Sequence, residues 1–109
     1  MLVATPAVVD GYIRDITRGQ RSDLTRMRRD LAVQFHADKT CPVTSGIFLR
    51  IVAEAAWEEY QSGKPLSRIT PFWRMIAPDS STARKLTFGI DWLRKQREKE
   101  GIDEDDRHE

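Results

Sequence analysis

The residues of this chain best suited to chemistry lie in the run Ile-Thr-Pro-Phe-Trp-Arg-Met-Ile at positions 69–76. Pro71 fixes its own backbone and biases the preceding residue toward an extended conformation, so a stiff turn would present Phe72 and Trp73. Arg74 follows the two rings, and a guanidinium beside flat rings suits stacking on a planar ligand such as a nucleobase. The competing interpretation is that both rings fill the core, as aromatic side chains commonly do.

Arginines concentrated in the first third of the chain form a second candidate site. Six of them fall within residues 14–29, namely Arg14, Arg18, Arg21, Arg26, Arg28 and Arg29. Such positive charge favours a phosphate-facing surface, although charged runs are commonly solvated helix faces held by ion pairs. Residues 102–109 carry a net charge of −4 and the other 101 residues +5. The acidic end is expected to screen the patch when nothing is bound.

The single thiol, Cys41, precedes Pro42 at a predicted helix N-terminus, where the helix dipole lowers a thiol pKa. Redox sensing or nucleophilic attack is chemically conceivable there, but an unpaired cysteine is more commonly a small packed residue. His36, Cys41 and His108 have no recognised metal-ligand spacing, and the glycines are too scattered for a phosphate-cradling loop. We therefore predict no metal site and no cofactor.

Length and composition set the protein class. A chain of 109 residues with 32% charged and 39% apolar residues predicts one soluble domain with a modest core. No apolar run approaches the roughly 20 residues that span a bilayer, and the first six residues lack the pattern of a signal peptide. One cysteine excludes an internal disulfide and agrees with a reducing compartment, so a cytoplasmic location without membrane contact is expected.

Apolar periodicity predicts four helices, over about 6–17, 23–36, 42–61 and 89–100. Ser22 is the expected N-cap of the second helix, and Pro42 lies near the first turn of the third. In the third helix, the residues expected to face inward are Phe48, Ile51, Val52, Ala55 and Tyr60. The pattern predicts a flexible N-terminus over 1–7, a domain over 8–101 and a disordered acidic tail over 102–109.

Four ordered motifs together resemble a known family. They are Arg18-Gly19-Gln20, the run 40–46, Thr70-Pro71-Phe72-Trp73-Arg74, and Glu100-Gly101. This order resembles the DNA-binding domain of alkylguanine-DNA alkyltransferases, and more closely their nonenzymatic alkyltransferase-like relatives. A closer resemblance is to bacterial proteins of this superfamily that carry Cys-Pro-(Val/Ile)-Thr-(Ser/Thr)-Gly-Ile-Phe followed by Thr-Pro-(Phe/Tyr)-Trp-Arg. The resemblance covers residues 8–101. It implies a mainly α, winged helix-turn-helix-like domain with about four helices and a small wing after Pro71.

The same resemblance implies roles for single residues. Phe72 stands where the enzymes hold their nucleophilic cysteine, and Trp73 stands where they hold the activating histidine. Arg74 matches their arginine, and Glu100 matches the glutamate that orients the histidine. Alkyl transfer needs a thiolate activated by a neighbouring base, which Phe72 and Trp73 do not supply. Catalytic residues are therefore absent from this motif, and we predict that the chain is not an enzyme.

Other positions depart from the family pattern. The enzymes fill the gap left by an extruded base with an arginine early in the third helix, and this chain has Val43 and Thr44 there. Their phosphate-pressing tyrosine falls near Leu24, and their hinge asparagine falls near Gly63 or Lys64. Base extrusion costs a few kcal/mol and is harder to offset without a wedge residue. Duplex binding is therefore the firmer expectation.

We predict a non-catalytic protein that binds double-stranded DNA, with recognition of alkylated guanine without repair as its specific form. The residues expected to contact DNA are Arg21, Arg26, Arg29, Lys39, Thr44, Ser45 and Arg50. Phe72, Trp73 and Arg74 are expected to line a base pocket. The chain is expected to be a monomer, with a repair or regulatory protein as a further partner. The alternative is a protein–protein interaction module that has kept the fold and lost DNA binding.

Overall fold

The computed structural model describes residues 2–102. These residues are mainly helical, as predicted, and no β-strand occurs among them. The five α-helices are α1 Pro6–Arg14, α2 Leu24–Gln34, α3 Pro42–Gln61, α4 Ser81–Arg84 and α5 Asp91–Lys99. Two single 3₁₀ turns, Leu66–Arg68 and Phe72–Arg74, lie between α3 and α4. No helix in the described part of the chain is long and apolar enough to cross a membrane.

Side-chain caps and prolines define where the helices begin. The side chains of Thr5, Asp23 and Ser80 each accept a hydrogen bond from a first-turn N–H of α1, α2 and α4, respectively. Such capping satisfies backbone donors that have no partner within the helix. The prediction of Ser22 as the cap of α2 is wrong by one residue, because Ser22 Oγ instead lies 2.9 Å from the hydroxyl of Tyr12.

Helix α3 has the predicted bounds, but its buried face differs from the predicted one. The buried residues are Ser45, Leu49, Val52, Ala53 and Ala56, whereas Ile51 and Ala55 are exposed. Apolar side chains occur on both faces of this helix, so periodicity does not indicate which face packs inward. Helices α1 and α2 both contact α3, and these contacts determine which face of α3 is buried.

The core lies between α1, α3, α5 and the turn Phe72–Arg74, which contacts both α3 and α5. Six aromatic rings pack together around this turn: Trp57, Tyr60, Phe72, Trp73, Phe88 and Trp92. Trp57 and Phe88 stack with ring centroids 4.4 Å apart, and Phe72 stacks on Trp92 at 5.5 Å. Such ring pairs stabilise a core beyond the area they bury. The turn is therefore held firmly against α5.

The chain ends differ from the predicted domain bounds. Leu2 exchanges backbone hydrogen bonds with Lys39 and Cys41, and Ala4 is buried, so these two residues of the segment predicted as a flexible N-terminus pack on the domain. Ile102 is also buried and belongs to the domain rather than to a tail. The remainder of the predicted acidic tail, residues 103–109, lies outside the described residues.

The region predicted as a wing contains a turn followed by helix α4 rather than a strand pair. Ser80 Oγ donates to the carbonyl of Ala77 and accepts from the N–H of Ala83, so this serine closes the turn and begins the helix. The prediction of about four helices did not include α4, because a four-residue helix has no apolar period to detect.

Candidate nucleic-acid interface

The two aromatic residues expected to line a base pocket are buried. Phe72 is 0% exposed and Trp73 is 2% exposed, and their rings meet edge to face at 5.6 Å. The expectation for Phe72 is wrong, because it lines neither of the two main cavities and packs against Phe88 and Trp92. The competing interpretation, that these rings fill the core, therefore describes Phe72 fully.

Trp73 and Arg74 belong to a hydrogen-bond network centred on Glu100. The indole Nε1 of Trp73 donates to Glu100 Oε2 at 2.7 Å. Arg74 donates from Nε and Nη2 to the two carboxylate oxygens, each at 2.9 Å, and from Nη1 to the carbonyl of Ile16 at 2.8 Å. The backbone N–H of Gly19 adds a fourth hydrogen bond to the carboxylate at 3.3 Å. This network joins the segment after α1, the Phe72–Arg74 turn and the end of α5.

The electrostatics of the network favour the ionised carboxylate. Burial alone would raise the pKa of Glu100, but the hydrogen bonds from Arg74 and Trp73 outweigh it and hold that pKa below its ordinary value. Gly19 has a positive φ of 85°, and a Cβ there would lie 3.3 Å from the Glu100 carbonyl oxygen. Glycine is therefore needed at this position both for its backbone angle and for close approach.

Arg97 holds the Phe72–Arg74 turn through hydrogen bonds to backbone carbonyls. Its side chain is buried, and Nη1 donates to the carbonyl oxygens of Trp73 at 2.5 Å and Ile76 at 3.3 Å. These bonds satisfy carbonyls at the end of the 3₁₀ turn that would otherwise be buried without a partner. Arg97 was not predicted as a structural residue, because on a charged helix it resembles its exposed neighbours Arg94 and Lys95.

A cavity of about 780 Å³ lies between the start of α2 and the turn that leads into α4. Its volume is within the range of roughly 300–1,000 Å³ that ligand sites occupy. Three of the arginines expected to contact DNA, Arg21, Arg26 and Arg29, line this cavity and are exposed. We call this space the arginine cleft.

The other walls of the arginine cleft are chemically mixed. Leu49, Met75, Ile76 and Arg97 border its inner side, but each is at most 3% exposed, and Arg97 donates to the carbonyls of Trp73 and Ile76. Hydroxyl groups line the opposite side, from Ser80, Ser81 and Thr82. Two exposed aspartates, Asp23 and Asp79, offset part of the charge of the three exposed arginines, which leaves one more cation than anions on the exposed lining. Phosphate oxygens are the ligand groups that such a set of donors suits.

A smaller cavity of about 470 Å³ lies beside the Glu100 network. Trp73 and Arg74 line it together with Arg14, Arg18 and Lys99. The residues expected to form one base pocket are thus divided, because Phe72 is in the core while the other two border this second space. Arg74 is held by Glu100 and Ile16, so its guanidinium is already engaged.

The arginine run does not form one surface. Arg14 pairs with Asp10 at 2.8 Å and also donates to Thr70, whereas Arg28 donates to the carbonyl of Thr40. The exposed pairing with Asp10 contributes little stability, but it orients the guanidinium toward the 68–70 segment. The tertiary structure therefore divides the six arginines: Arg21, Arg26 and Arg29 line the arginine cleft, Arg14 and Arg18 line the smaller cavity, and Arg28 lines neither.

The start of α3 is arranged differently from the expected DNA contact. Ser45 is 0% exposed, and its hydroxyl has no hydrogen-bond partner within residues 2–102, so the expectation that it contacts DNA is wrong. Thr44 is half-buried, Lys39 is exposed and Arg50 is partly exposed. These three residues line neither cavity, so they lie apart from the arginine cleft.

The outward face of α3 carries aliphatic side chains. Val43 is 67% exposed, Ile47 43% and Ile51 47%, and their spacing of four residues aligns them along one side of the helix. We call these three residues the α3 ridge. Arg50, Glu54 and Glu58 lie on the same side by helical register. Because Ile51 was predicted to face inward, the ridge was not predicted from the sequence.

Cys41 is the N-cap residue of α3 and is half-buried. The pKa of its thiol is lowered, chiefly because the side chain and then the backbone N–H of Thr44 lie close to the sulfur, although Thr44 Oγ1 makes no hydrogen bond of standard geometry within residues 2–102. Cys41 lines neither cavity, so a ligand held in the arginine cleft would not reach it. Within residues 2–102, no group of three or more His, Cys, Asp or Glu side chains could hold a metal ion.

Comparison of the chain with known protein families, with curated proteins and with solved structures found no match.

Proposed function

We propose that this protein is a non-catalytic, duplex-DNA-binding protein of alkyltransferase-like type that uses the arginine cleft to contact phosphates. The observation that carries the proposal is the convergence of Arg21, Arg26 and Arg29, which were expected to bind DNA, on one open cavity. Their side chains are exposed at the rim, where the backbone of a duplex is accessible without entry into the protein.

The architecture is consistent with a helix-turn-helix-like arrangement. Helices α2 and α3 pack together through a short connection, and the turn that leads into α4 borders the arginine cleft from the other side. We propose that this turn takes the place of the wing expected from the family resemblance. Recognition of alkylated guanine without repair is the specific form of this proposal.

The proposal excludes alkyl transfer through the Phe72–Trp73 motif on chemical grounds. A phenyl ring has no nucleophilic electron pair, and an indole N–H does not act as a base near neutral pH. The contact between Trp73 and Glu100 supports the family resemblance, because the resemblance aligns these positions with the histidine and glutamate of the enzymes. Here the pair holds the turn in place and moves no proton.

Titration of the protein against fluorescent duplex DNA at low salt tests the proposal. We expect binding that weakens as salt rises, with a slope of about −0.9 per phosphate neutralised when log K is plotted against log salt. A matched titration with a duplex that contains one alkylguanine tests the lesion preference separately. Micromolar or weaker binding without salt dependence would refute phosphate contact by the cleft.

The α3 ridge supports a second candidate function, a protein–protein interaction module. Exposed aliphatic residues aligned on one helix face commonly mark a contact surface. Under this alternative, replacement of Arg26 and Arg29 by alanine leaves binding of the partner protein unchanged. Replacement of Ile47 abolishes that binding. Pull-down with the wild-type chain and with each variant separates the two candidates.

A further inference from the structure

We propose that the smaller cavity beside the Glu100 network binds a small phosphate monoester, with Arg18 and Lys99 on the phosphate and Gln96 on the organic part of the ligand. The cavity has a volume of about 470 Å³, within the range of roughly 300–1,000 Å³ that small-molecule sites occupy. It shares no lining residue with the arginine cleft. The inference is therefore independent of DNA binding.

Gln96 is the residue that points to a ligand. It is only 5% exposed, yet its side-chain amide makes no hydrogen bond within residues 2–102. In that range, the side-chain atoms that are sealed from solvent without a partner belong to Thr44 and Ser45, so the amide of Gln96 is not sealed and opens on the cavity that it lines. Buried amides normally have a partner, because removing them from water is costly. A ligand inside the cavity would supply that partner.

Two unpaired cations border the same cavity. Arg18 and Lys99 are exposed, and neither makes an ion pair with a residue in the range 2–102. The backbone N–H of Gly19 donates to Glu100 Oε1 at 3.3 Å, and this contact joins the two short segments that carry the cations. A cavity lined by charges of one sign concentrates ions of the opposite sign. The cavity is therefore expected to attract anions.

The other charges along the cavity are balanced within the protein. Arg74 pairs with Glu100 at 2.9 Å, and Arg14 pairs with Asp10 at 2.8 Å. The two unpaired cations therefore leave a net charge of two positive units around the space. A phosphate monoester carries about −1.5 to −2 charges at pH 7, so one such group neutralises both cations, whereas a single carboxylate neutralises only one.

The donors for the phosphate are held in place by the fold. Gln96 and Lys99 are three residues apart on α5, so they lie on the same face of that helix. The two terminal nitrogens of Arg14 donate to the carbonyl of Arg68 at 3.4 Å and to Thr70 Oγ1 at 3.1 Å. Each terminal nitrogen keeps one further N–H without a partner in the range 2–102. This fixed guanidinium can therefore donate to a phosphate oxygen as well.

The depth of Gln96 favours a small ligand over the backbone of a duplex. Because the residue is almost fully buried, a group that bonds its amide has to enter the cavity, whereas duplex phosphates remain at the protein surface. An amide both donates and accepts hydrogen bonds, so it suits a hydroxyl or amide group on the organic part of the ligand. Free phosphate would engage the cations but leave this amide without a partner.

Calorimetric titration of the full-length chain tests the proposal. The probes are three phosphate monoesters, namely glycerol 3-phosphate, ribose 5-phosphate and adenosine 5′-monophosphate, together with inorganic phosphate and free ribose. We expect at least one monoester to bind about tenfold or more tightly than inorganic phosphate, because it adds contacts to the organic part. Free ribose should show no binding. If no monoester binds more tightly than inorganic phosphate, the proposal is overturned.

Removal of the two cations tests which residues hold the phosphate. The double variant Arg18→Ala with Lys99→Ala should weaken monoester binding by roughly tenfold or more. Arg94→Ala with Lys95→Ala removes the same charge from exposed residues of α5 that line neither cavity, and it should bind like the wild type. Equal losses in the two double variants would assign binding to net charge and overturn the site.

Gln96→Met tests the amide, because it keeps the length of the side chain and removes its polar group. The affinity for the monoester should fall toward that for inorganic phosphate. The melting temperature without ligand should stay the same or rise, because the amide has no hydrogen bond to lose. A lower melting temperature would assign Gln96 a structural bond, and an unchanged affinity would show that the amide does not touch the ligand. Either result would overturn its role.

A duplex titration separates this cavity from the surface that contacts DNA. Arg18→Ala with Lys99→Ala should bind duplex as tightly as its matched control, Arg94→Ala with Lys95→Ala. A larger loss of duplex affinity in the first variant would make the cavity part of the DNA surface and overturn a separate site. Because the calorimetric experiments contain no DNA, their failure leaves the proposed function of the arginine cleft intact.

Discussion

The indole of Trp73 donates to the carboxylate of Glu100 at 2.7 Å, although 27 positions separate the two residues in the chain. The same carboxylate accepts two hydrogen bonds from Arg74. Glu100 is therefore the anchor that connects the end of α5 to the Phe72–Arg74 turn. Since the turn also lies against Arg97, the position of the neighbouring cavity walls depends on this contact.

Removal of the indole donor should destabilise the protein. Trp73→Phe keeps most of the ring packing but leaves one Glu100 oxygen with fewer donors, and we expect the free energy of unfolding to fall by about 1–3 kcal/mol. Urea denaturation measures the change. Trp92→Phe is the matched control, because Trp92 belongs to the same aromatic cluster and its indole makes no hydrogen bond among residues 2–102. Equal losses of unfolding free energy in the two variants would contradict a stabilising role for the hydrogen bond between Trp73 and Glu100.

Acid should weaken the fold through Glu100. Its pKa lies below the ordinary value of 4.5 in the folded chain, so its contribution to stability is complete above that ordinary value. The contribution is lost as pH falls through the lower, folded pKa, because the protonated carboxyl no longer pairs with Arg74. Melting temperatures measured from pH 7 to pH 2 should show the difference between wild type and Glu100→Gln narrowing at the acidic end. A difference that does not depend on pH would argue against an ionised Glu100.

Two glycines should respond in opposite directions to alanine. Gly19→Ala forces a side chain into the left-handed region against the Glu100 carbonyl, with an expected loss of about 1–2 kcal/mol. Gly11→Ala, in the open interior of α1, should instead stabilise the protein by about 0.5–1 kcal/mol. Thermal denaturation of both variants distinguishes the close contact between Gly19 and the Glu100 carbonyl from a general effect of glycine flexibility. An unchanged melting temperature for Gly19→Ala would show that glycine is not required at this position.

Arginines of the cleft should carry the affinity for DNA. The double variant Arg26→Ala with Arg29→Ala should weaken duplex binding by roughly tenfold or more and reduce the salt slope by about two. Arg68→Ala with Arg94→Ala removes the same charge from exposed residues that line neither cavity. If both double variants lost the same affinity, net charge rather than the cleft would explain binding.

The protein should not accept an alkyl group from damaged duplex. Because Phe72 occupies the position that the resemblance aligns with a nucleophilic cysteine, incubation with alkylguanine-containing DNA should leave the intact mass unchanged. Cys41→Ser should retain duplex with wild-type affinity, since Cys41 lines neither cavity. Mass spectrometry checks the first expectation and fluorescence titration the second. An alkyl adduct on any residue would end the non-catalytic proposal.

Local sequence signals identified the helices well. Pro42 in the first turn and the glycine and proline after Gln61 predicted both ends of α3 correctly, because these residues act on their own backbone. The end of α2 was predicted two residues too late, at 36 instead of Gln34. His36 has a φ of 56°, a left-handed conformation that residue type alone does not indicate for histidine.

Composition and periodicity thus determined a mainly helical domain with an arginine-rich first third, since both follow from residue type and near neighbours. Only tertiary contacts decided which side of α3 is buried, because both of its sides are apolar. They buried Phe72 and Ser45 and brought residues 21–29 against residues 75–82 to form the arginine cleft. A site assembled from separate segments depends on how the helices pack, and packing is a property of the whole chain.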